Sequence, residues 1–490
     1  MSAKNEQNIY TVTVTDTDGG QKQITGIRGI LLSDLLHSDD IHLEMPCGGK
    51  GVCKKCLVKS SGIPILACQT YLNHDMSISL DRESVYLKEL YSGDINISAK
   101  SAYYSKWGLA VDIGTTTIKI TLVGQGGNYS VVYKNPHVYI GADVISRIEK
   151  ALAGQAVMLT NSLRTIMREM ILELCDNMKI YADDIDAMVV TGNTTMLYFL
   201  AGRNPESLAA APFEADHLFG DTVSPELLNL NISPMAKIYL VPCISAFIGA
   251  DIVAAILNSG MHQAKKTSLM IDIGTNGEIV LVHDGTLYCA STAAGPVFEG
   301  YSLSYGTYAA KGAIDRVWLE NGEIKFTTID NAPAIGICGS GIIEALAVML
   351  ELGLVSENGY LSEDFELTAG IKITNEDINQ IQLAKGAIRA GIETLIAYAG
   401  LDKSQIEAFF VAGYFGHNIN MQHAAAIGLI PEDLLPVVYS LGNAAHAGCA
   451  MILQDQNLIT QIGELMERTK VVKLSDSEVF KEKFLEYMLF

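Results

Sequence analysis

The chain has 490 residues, 49% of them apolar and 18% charged, enough to bury several hydrophobic cores and typical of a globular protein. Its formal net charge of −21 argues against a nucleic-acid partner, which would need a basic stripe. The polar start MSAKNEQNIY and the lack of any run of about 18 apolar residues point to a cytoplasmic protein that does not span a membrane.

Residues 8–14 alternate as a strand, Gly19 and Gly20 turn the chain, and residues 23–27 return as a hairpin partner. A helix over 31–36 leads into a cysteine-rich loop, the order found in small ferredoxins. This first domain is expected over 1–95, followed by a linker over 96–106. From Trp107 the pattern changes to three strands, WGLAVDIG, TTTIKITLVG and NYSVVYKN. The same arrangement recurs in SLMIDIG, NGEIVLV and TLYCAST, so Asp112 and Asp272 are equivalent positions in a duplication 160 residues apart. GADVISRI (141–148) and GADIVAAI (249–256) both read as helix starts but do not share a place within the two halves. Helices follow over 341–352 and 375–399, then a buried strand over 408–412, then helices from about 444 and 476. The expected lobes are 107–266 and 267–440, with C-terminal helices over 441–490 returning to the first lobe. The fold class is α/β, with an α+β first domain.

Cys47, Cys53, Cys56 and Cys68 are separated by five, two and eleven residues. Plant-type [2Fe-2S] loops have four and two residues in the first two gaps. Gly48, Gly49 and Gly51 let the backbone wrap a ligand and aim N–H groups at its sulfurs. A structural zinc is the alternative, but it usually takes two C-x2-C knuckles and only one is present. Lys50, Lys54, Lys55 and Lys59 crowd the loop and could guide an acidic redox partner or form a solvated surface. The other five cysteines, Cys175, Cys243, Cys289, Cys338 and Cys449, read as buried small side chains.

A strand ending in Asp, then Gly-Thr, then a second strand forms a hairpin whose tip offers N–H groups and hydroxyls to phosphate oxygens. Gly114, Thr115, Thr116 and Thr117 form one such tip after Asp112, and Gly274, Thr275 and Asn276 form the other after Asp272. Two facing copies, each with an acid able to hold Mg²⁺, would clamp ATP. Glu278, two residues past Asn276, could order the attacking water or simply face solvent from a strand. Gly339, Ser340 and Gly341 open a helix whose free N–H groups suit an anion, or merely cap it. Lys385 and Arg389, one turn apart, could flank an adenine or lie on an exposed helical face.

With its paired DIGT motifs, residues 107–490 resemble the superfamily of acetate kinase, sugar kinases, Hsp70 and actin. The resemblance implies a two-lobed ATPase with duplicated βββαβα lobes. It also implies that Gly413 and Gly416, in VAGYFG (411–416), belong to a turn holding the adenosine. The first domain resembles a β-grasp ferredoxin. The pair of domains, with TGNTTM (191–196), VPCISAFIGAD (241–251) and ASTAAGPVFEG (290–300), resembles the reductive activators of corrinoid proteins. That resemblance implies ATP-dependent conversion of inactive Co(II) to Co(I), with one electron passing from a low-potential donor through the [2Fe-2S] cluster, in a methyltransferase or O-demethylase system. It implies a corrinoid-protein partner and no membrane. The assembly is left open, a homodimer being one option, and a middle domain of longer relatives is expected to be lacking. Rival readings are a radical-dehydratase activator, which typically carries a [4Fe-4S] cluster, and a small-molecule kinase. A plain electron carrier would have no need of residues 107–490.

Overall fold

In the N-terminal domain the alternation of residues 9–15 becomes β1 (Ile9–Thr15), which buries Val12 and Val14 and pairs antiparallel with β2 (Gln21–Ile27). The structure is a computed structural model and describes residues 9–16, 20–39, 41, 43, 45, 48–51, 55–60, 62–80, 88–92 (backbone), 101–124, 127–141, 143–413 and 419–490. Helix α1 (Leu32–Ser38) turns Leu32, Leu35 and Leu36 inward, and β3 (Leu57–Ser60), β4 (Ile63–Leu66) and β5 (Met76–Ser79) complete the sheet. The strand order is β2-β1-β5-β3-β4, with β5 parallel to β1, which is a β-grasp. Cys56 and Cys68 lie in its small core beside Leu72 and Ile78.

The two lobes repeat one design. Lobe I contains β6 (Lys88–Ser92), β7 (Trp107–Ile113), β8 (Thr117–Gly124) and β9 (Gly127–Lys134), then α2 (Val144–Lys150) and α3 (Ala156–Met178). It continues with β10 (Ile185–Gly192), α4 (Thr194–Ala201), α5 (Glu206–Ala209), β11 (Thr222–Val223), β12 (Lys237–Leu240) and α6 (Ala250–Ser259). Lobe II begins with β13 (Ser268–Ile273), β14 (Gly277–His283) and β15 (Thr286–Thr292). A small sheet follows, of β16 (Ala313–Glu320), β17 (Glu323–Thr328) and β18 (Gly336–Ile337), and then α7 (Gly339–Glu351). After β19 (Phe365–Thr368) and β20 (Ile371–Ile373), a capping box at Thr374 and Asp377 starts α8 (Asn375–Tyr398). The lobe closes with β21 (Ala408–Ala412), β22 (Val438–Gly442) and β23 (Thr469–Val471).

The central order is β12-β10-β7-β8-β9 in lobe I and β22-β21-β13-β14-β15 in lobe II, with the two strands before the hairpin parallel to its first strand. Strands β7 and β13 are apolar in the residues just before Asp112 and Asp272 because successive residues, on both faces of the sheet, are buried. The helix Ala444–Gln454 leaves lobe II and packs on β7, β10 and α6 of lobe I. One core cluster therefore joins Leu109, Val111 and Val190 of lobe I to Met270, Val280 and Leu287 of lobe II.

Three sequence boundaries shift. Strand β6 lies before residue 95 yet pairs with β9, forming the edge of the lobe I sheet. The end of the expected linker is bonded to lobe I, with the Ser105 and Lys106 N–H groups donating to Asp186. The C-terminal helices divide: Ala444–Gln454 and Leu458–Glu467 join lobe I, whereas β23 pairs with β15 and Glu478–Glu486 packs on α8 of lobe II. Among the described residues no helix is long and apolar enough to cross a membrane.

Candidate functional site

Both hairpins form as their sequences predict, and they face one another. In lobe I the tip at 114–117 is held from three sides. Asn135 Nδ2 donates to Gly114 O (2.8 Å), Arg147 Nη2 to Thr115 O (2.5 Å), and Asn193 Nδ2 to Thr115 Oγ1 (3.0 Å). In lobe II the shorter tip closes on itself, the Gly274 N–H donating to Asn276 O (3.0 Å). Glu299 spans the two, accepting from Thr116 Oγ1 (2.5 Å) and Thr275 Oγ1 (2.7 Å).

Four carboxylates, each with some surface left accessible, line the space behind the tips. Burial pushes Asp112 up to about 6, opposed by a hydrogen bond from Asn443 and by the charge of Lys119, its cross-strand partner. Burial and then the charge of Asp112 push Asp272 up to about 7. Asp251, from the first turn of α6, rises to about 8 through burial and then the charges of Asp272 and Asp112. Glu278, the cross-strand partner of Asp272, lies well above the carboxylate range because of burial, then Asp251 and Asp272. Such a set is short of positive charge. Among the described residues no three or more His, Cys, Asp or Glu side chains are already arranged to hold a metal ion. Mg²⁺ asks for less, since it binds through one or two carboxylates together with water and phosphate oxygens.

Gly413 lies against the second hairpin: at φ +92°, a Cβ there would stand 2.7 Å from Asp272 Oδ1 and 3.0 Å from Ile273 O. The Gly413 backbone therefore packs directly on the second hairpin and leaves no room for a side chain beside the Asp272 carboxylate. Gly416 lies outside the described residues. Gly339, Ser340 and Gly341 open α7 as expected, but their partners are on β16. Ser340 Oγ donates to Asp315 O (2.9 Å), and a Cβ on Gly341 would stand 2.2 Å from Ile314 O, so strand packing explains the glycine.

Lys385 and Arg389 correct the sequence reading. They neither flank an open adenine site nor lie on an exposed face, because the C-terminal segment covers them. Lys385 Nζ donates to Leu489 O and sits 4.5 Å from the Phe490 ring centroid, and Arg389 lies over Tyr487 while pairing with Glu393. Burial and then the charge of Arg389 lower Lys385 to about 7.

In the cysteine loop, Cys56 and Cys68 are buried with their sulfurs 3.2 Å apart, while Cys47, Cys53 and Lys54 lie outside the described residues. Gln69 Nε2 donates to Gly49 O (2.6 Å) and approaches Cys68 Sγ (3.9 Å). Gly48, Gly49 and Gly51 all have positive φ, so the backbone turns as a cluster loop does. As far as they reach, these residues fit an iron–sulfur site. The loop also touches the lobes. Lys50 pairs with Glu149 (3.4 Å) and Lys55 Nζ donates to Gly306 O (2.9 Å), so two of its lysines serve docking within the chain. The five remaining cysteines are buried, as expected.

The sequence reading missed Asp251, Asn443, Glu299 and Arg147. Asp251 and Asn443 stand at the starts of matching helices, GADIVAAI (249–256) and GNAAHAGC (442–449), the repeat that 141–148 only imitates.

A family model described as the RACo middle region matches residues 107–264, and one described as the C-terminal domain of RACo, the ASKHA domain, matches 266–490. The region named middle in that family coincides with lobe I of this chain. The corrinoid activation enzyme RamQ of Eubacterium limosum is 29% identical over 575 aligned residues, covering 94% of this chain and 96% of that one. A Co(II) methylated amine-specific corrinoid protein reductase of Methanosarcina barkeri is 26% identical over 429 residues, covering 77% and 76%. A solved reductive activator for a corrinoid, iron-sulfur protein aligns over 98% of both chains with a TM-score of 0.71 and 25% identity.

Proposed function

This chain belongs to the reductive activators of corrinoid proteins, and from that premise we propose that it hydrolyses ATP to drive one electron onto the Co(II) of a partner corrinoid protein, giving Co(I). ATP would lie in the cleft with its terminal phosphates between the tips, where Thr115, Thr116 and Thr275 offer hydroxyls. Asp112, Asp272 and Asp251 would hold Mg²⁺ directly or through water; when bound, it neutralises their charge and polarises the phosphates. Glu278 would orient the attacking water and take its proton once Mg²⁺ offsets the charges of Asp251 and Asp272, which with burial raise its pKa. Arg147, Asn135 and Asn193 fix the first tip beforehand, so little reorganisation accompanies binding.

Cys56 and Cys68, with Cys47 and Cys53 of the same loop, would hold a [2Fe-2S] cluster; when bound, it carries one electron at a time. Burial of the two described thiols keeps water from them. The low-potential donor and the methyltransferase or O-demethylase system served belong to the same proposal.

The observation that carries this reading is the union, in one chain, of a cysteine-bearing β-grasp domain and an acid-lined cleft between two phosphate hairpins. A kinase has use only for the second and an electron carrier only for the first. The test is an anaerobic mixture of reductant, ATP, Mg²⁺, this protein and a corrinoid protein, followed by the cobalt absorbance. Co(II) should convert to Co(I), and omission of ATP or a Cys56→Ser substitution should stop it. Reduction at the same rate without ATP would defeat the proposal.

A further inference from the structure

Glu299 fills a position suited to a phosphate. Its two oxygens accept from Thr116 and Thr275, the hydroxyls that face phosphate oxygens in the nucleotide reading, and the buried Arg147 supplies the nearby positive charge. Burial raises its pKa, offset by those hydroxyl bonds and by Arg147. A second anion cannot share the same donors in a desolvated cleft, so an entering phosphate must displace this carboxylate or meet it protonated.

Glu299 is connected to the cysteine loop through two neighbours. Arg147 belongs to α2, and the adjoining residues of that helix meet the loop. A Cβ on Gly48 would stand 3.3 Å from Ser146 Cβ, one on Gly49 3.7 Å from Lys150 Nζ, and Lys50 pairs with Glu149. Along the chain, Glu299 leads into Gly300, whose backbone lies against Gly306 and Thr307. A Cβ on Gly300 would stand 2.1 Å from Thr307 O, and one on Gly306 2.1 Å from Gly300 O. Segment 300–307 is therefore a closed loop that must follow Glu299, and its Gly306 carbonyl accepts from Lys55.

We propose that Glu299 is a positioning residue that couples nucleotide occupancy to the seating of the cysteine-bearing domain. Without nucleotide it ties the two hairpins together in place of a phosphate. Once displaced, it shifts α2 and segment 300–307, on which Gly48, Gly49, Lys50 and Lys55 rest. The coupling rests on the nucleotide-cleft reading above.

The test pairs calorimetric titration of a non-hydrolysable ATP analogue with Mg²⁺ and hydrogen exchange of the full-length protein. In the wild type the analogue should raise exchange across 48–51 and 300–307. Glu299→Gln should bind the analogue about tenfold more tightly, the scale of removing one desolvated like charge, and its free form should already exchange like the nucleotide-bound wild type. Lys55→Met, at a half-buried position whose substitution spares the core, removes a contact that the analogue must loosen, so by reciprocity it should bind the analogue no more weakly than the wild type and at least halve the response at 48–51. An unchanged or weaker affinity in Glu299→Gln, a wild-type loop indifferent to the analogue, or a full response in Lys55→Met overturns the coupling. If the wild type binds no analogue, the cleft reading falls with it. If Asp272→Ala abolishes binding while Glu299→Gln behaves as wild type, the coupling alone falls.

Discussion

The hairpin at 112–119 and the hairpin at 272–278 occupy the same place in their two sheets, yet they differ in charge and in support. Opposite Asp112 stands Lys119, and Asn443 donates to the same carboxylate. Opposite Asp272 stands Glu278, with Asp251 adding a third acid. The first tip is braced by three side chains from elsewhere in lobe I, whereas the second closes through its own backbone. Local hydrogen bonds and apolar runs dictate the strand-turn-strand backbone, so duplication preserves it. Charge is not bound by that constraint and has diverged, leaving one wall of the cleft compensated and the other in need of a cation.

That asymmetry can be broken most sharply at the acids. Asp272→Asn should lower ATP hydrolysis by about 10²- to 10³-fold, the scale of losing one preorganised electrostatic group, and Asp112→Asn by less; equal losses in phosphate release would erase the distinction. Glu278→Gln should retain ATP binding while turnover drops about 10²-fold.

A smaller effect concerns pH. Asp112, Asp272 and Asp251 have folded-state values of about 6, 7 and 8, above the ordinary 3.8. Their neutral forms therefore favour the fold at low pH, and that contribution is lost as pH rises from about 4 through about 8. Melting temperature without ligand should fall over this window, and Asp251→Asn should flatten the decline. Mg²⁺ with nucleotide should flatten it too, by stabilising the ionised forms; a profile indifferent to both would remove the case for an uncompensated wall.

The smallest effect compares two glycines that end equivalent strands. A Cβ on Gly192 would stand 2.6 Å from Ile113 O, and one on Gly413 2.7 Å from the Asp272 carboxylate. Alanine at either should cost about 1–3 kcal/mol in denaturant unfolding, but only Gly413→Ala should also weaken ATP binding.

The same contrast explains what could be read without coordinates. Asp112, Asp272 and the threonine tips were legible because a hairpin is a local structure with a local signal, and the duplication doubled it. The β-grasp order and the cysteine spacing were legible for the same reason. Asp251, Glu299, Arg147 and Asn443 reach the cleft from helix starts and a loop far along the chain, and only tertiary packing brings them together. Lys385 and Arg389 failed in the opposite direction: a helical face carries no mark of the remote segment that covers it, here residues 487–490. Strand β6 escaped notice because an edge strand needs only one neighbour, and that neighbour, β9, lies about forty residues later.

Helix α6 and the helix Ala444–Gln454 meet backbone to backbone, since a Cβ on Gly448 would stand 1.9 Å from Ala254 O. Measured along each helix, that contact is three residues, about 5 Å, from Asp251 and five residues, about 7 Å, from Asn443. It therefore fixes the spacing of the two helix starts that bring Asp251 and Asn443 to the floor of the cleft. Because both helices pack within lobe I, a movement of lobe II would leave the spacing of these two side chains as it is. A methyl group at position 448 would wedge the two helix starts apart.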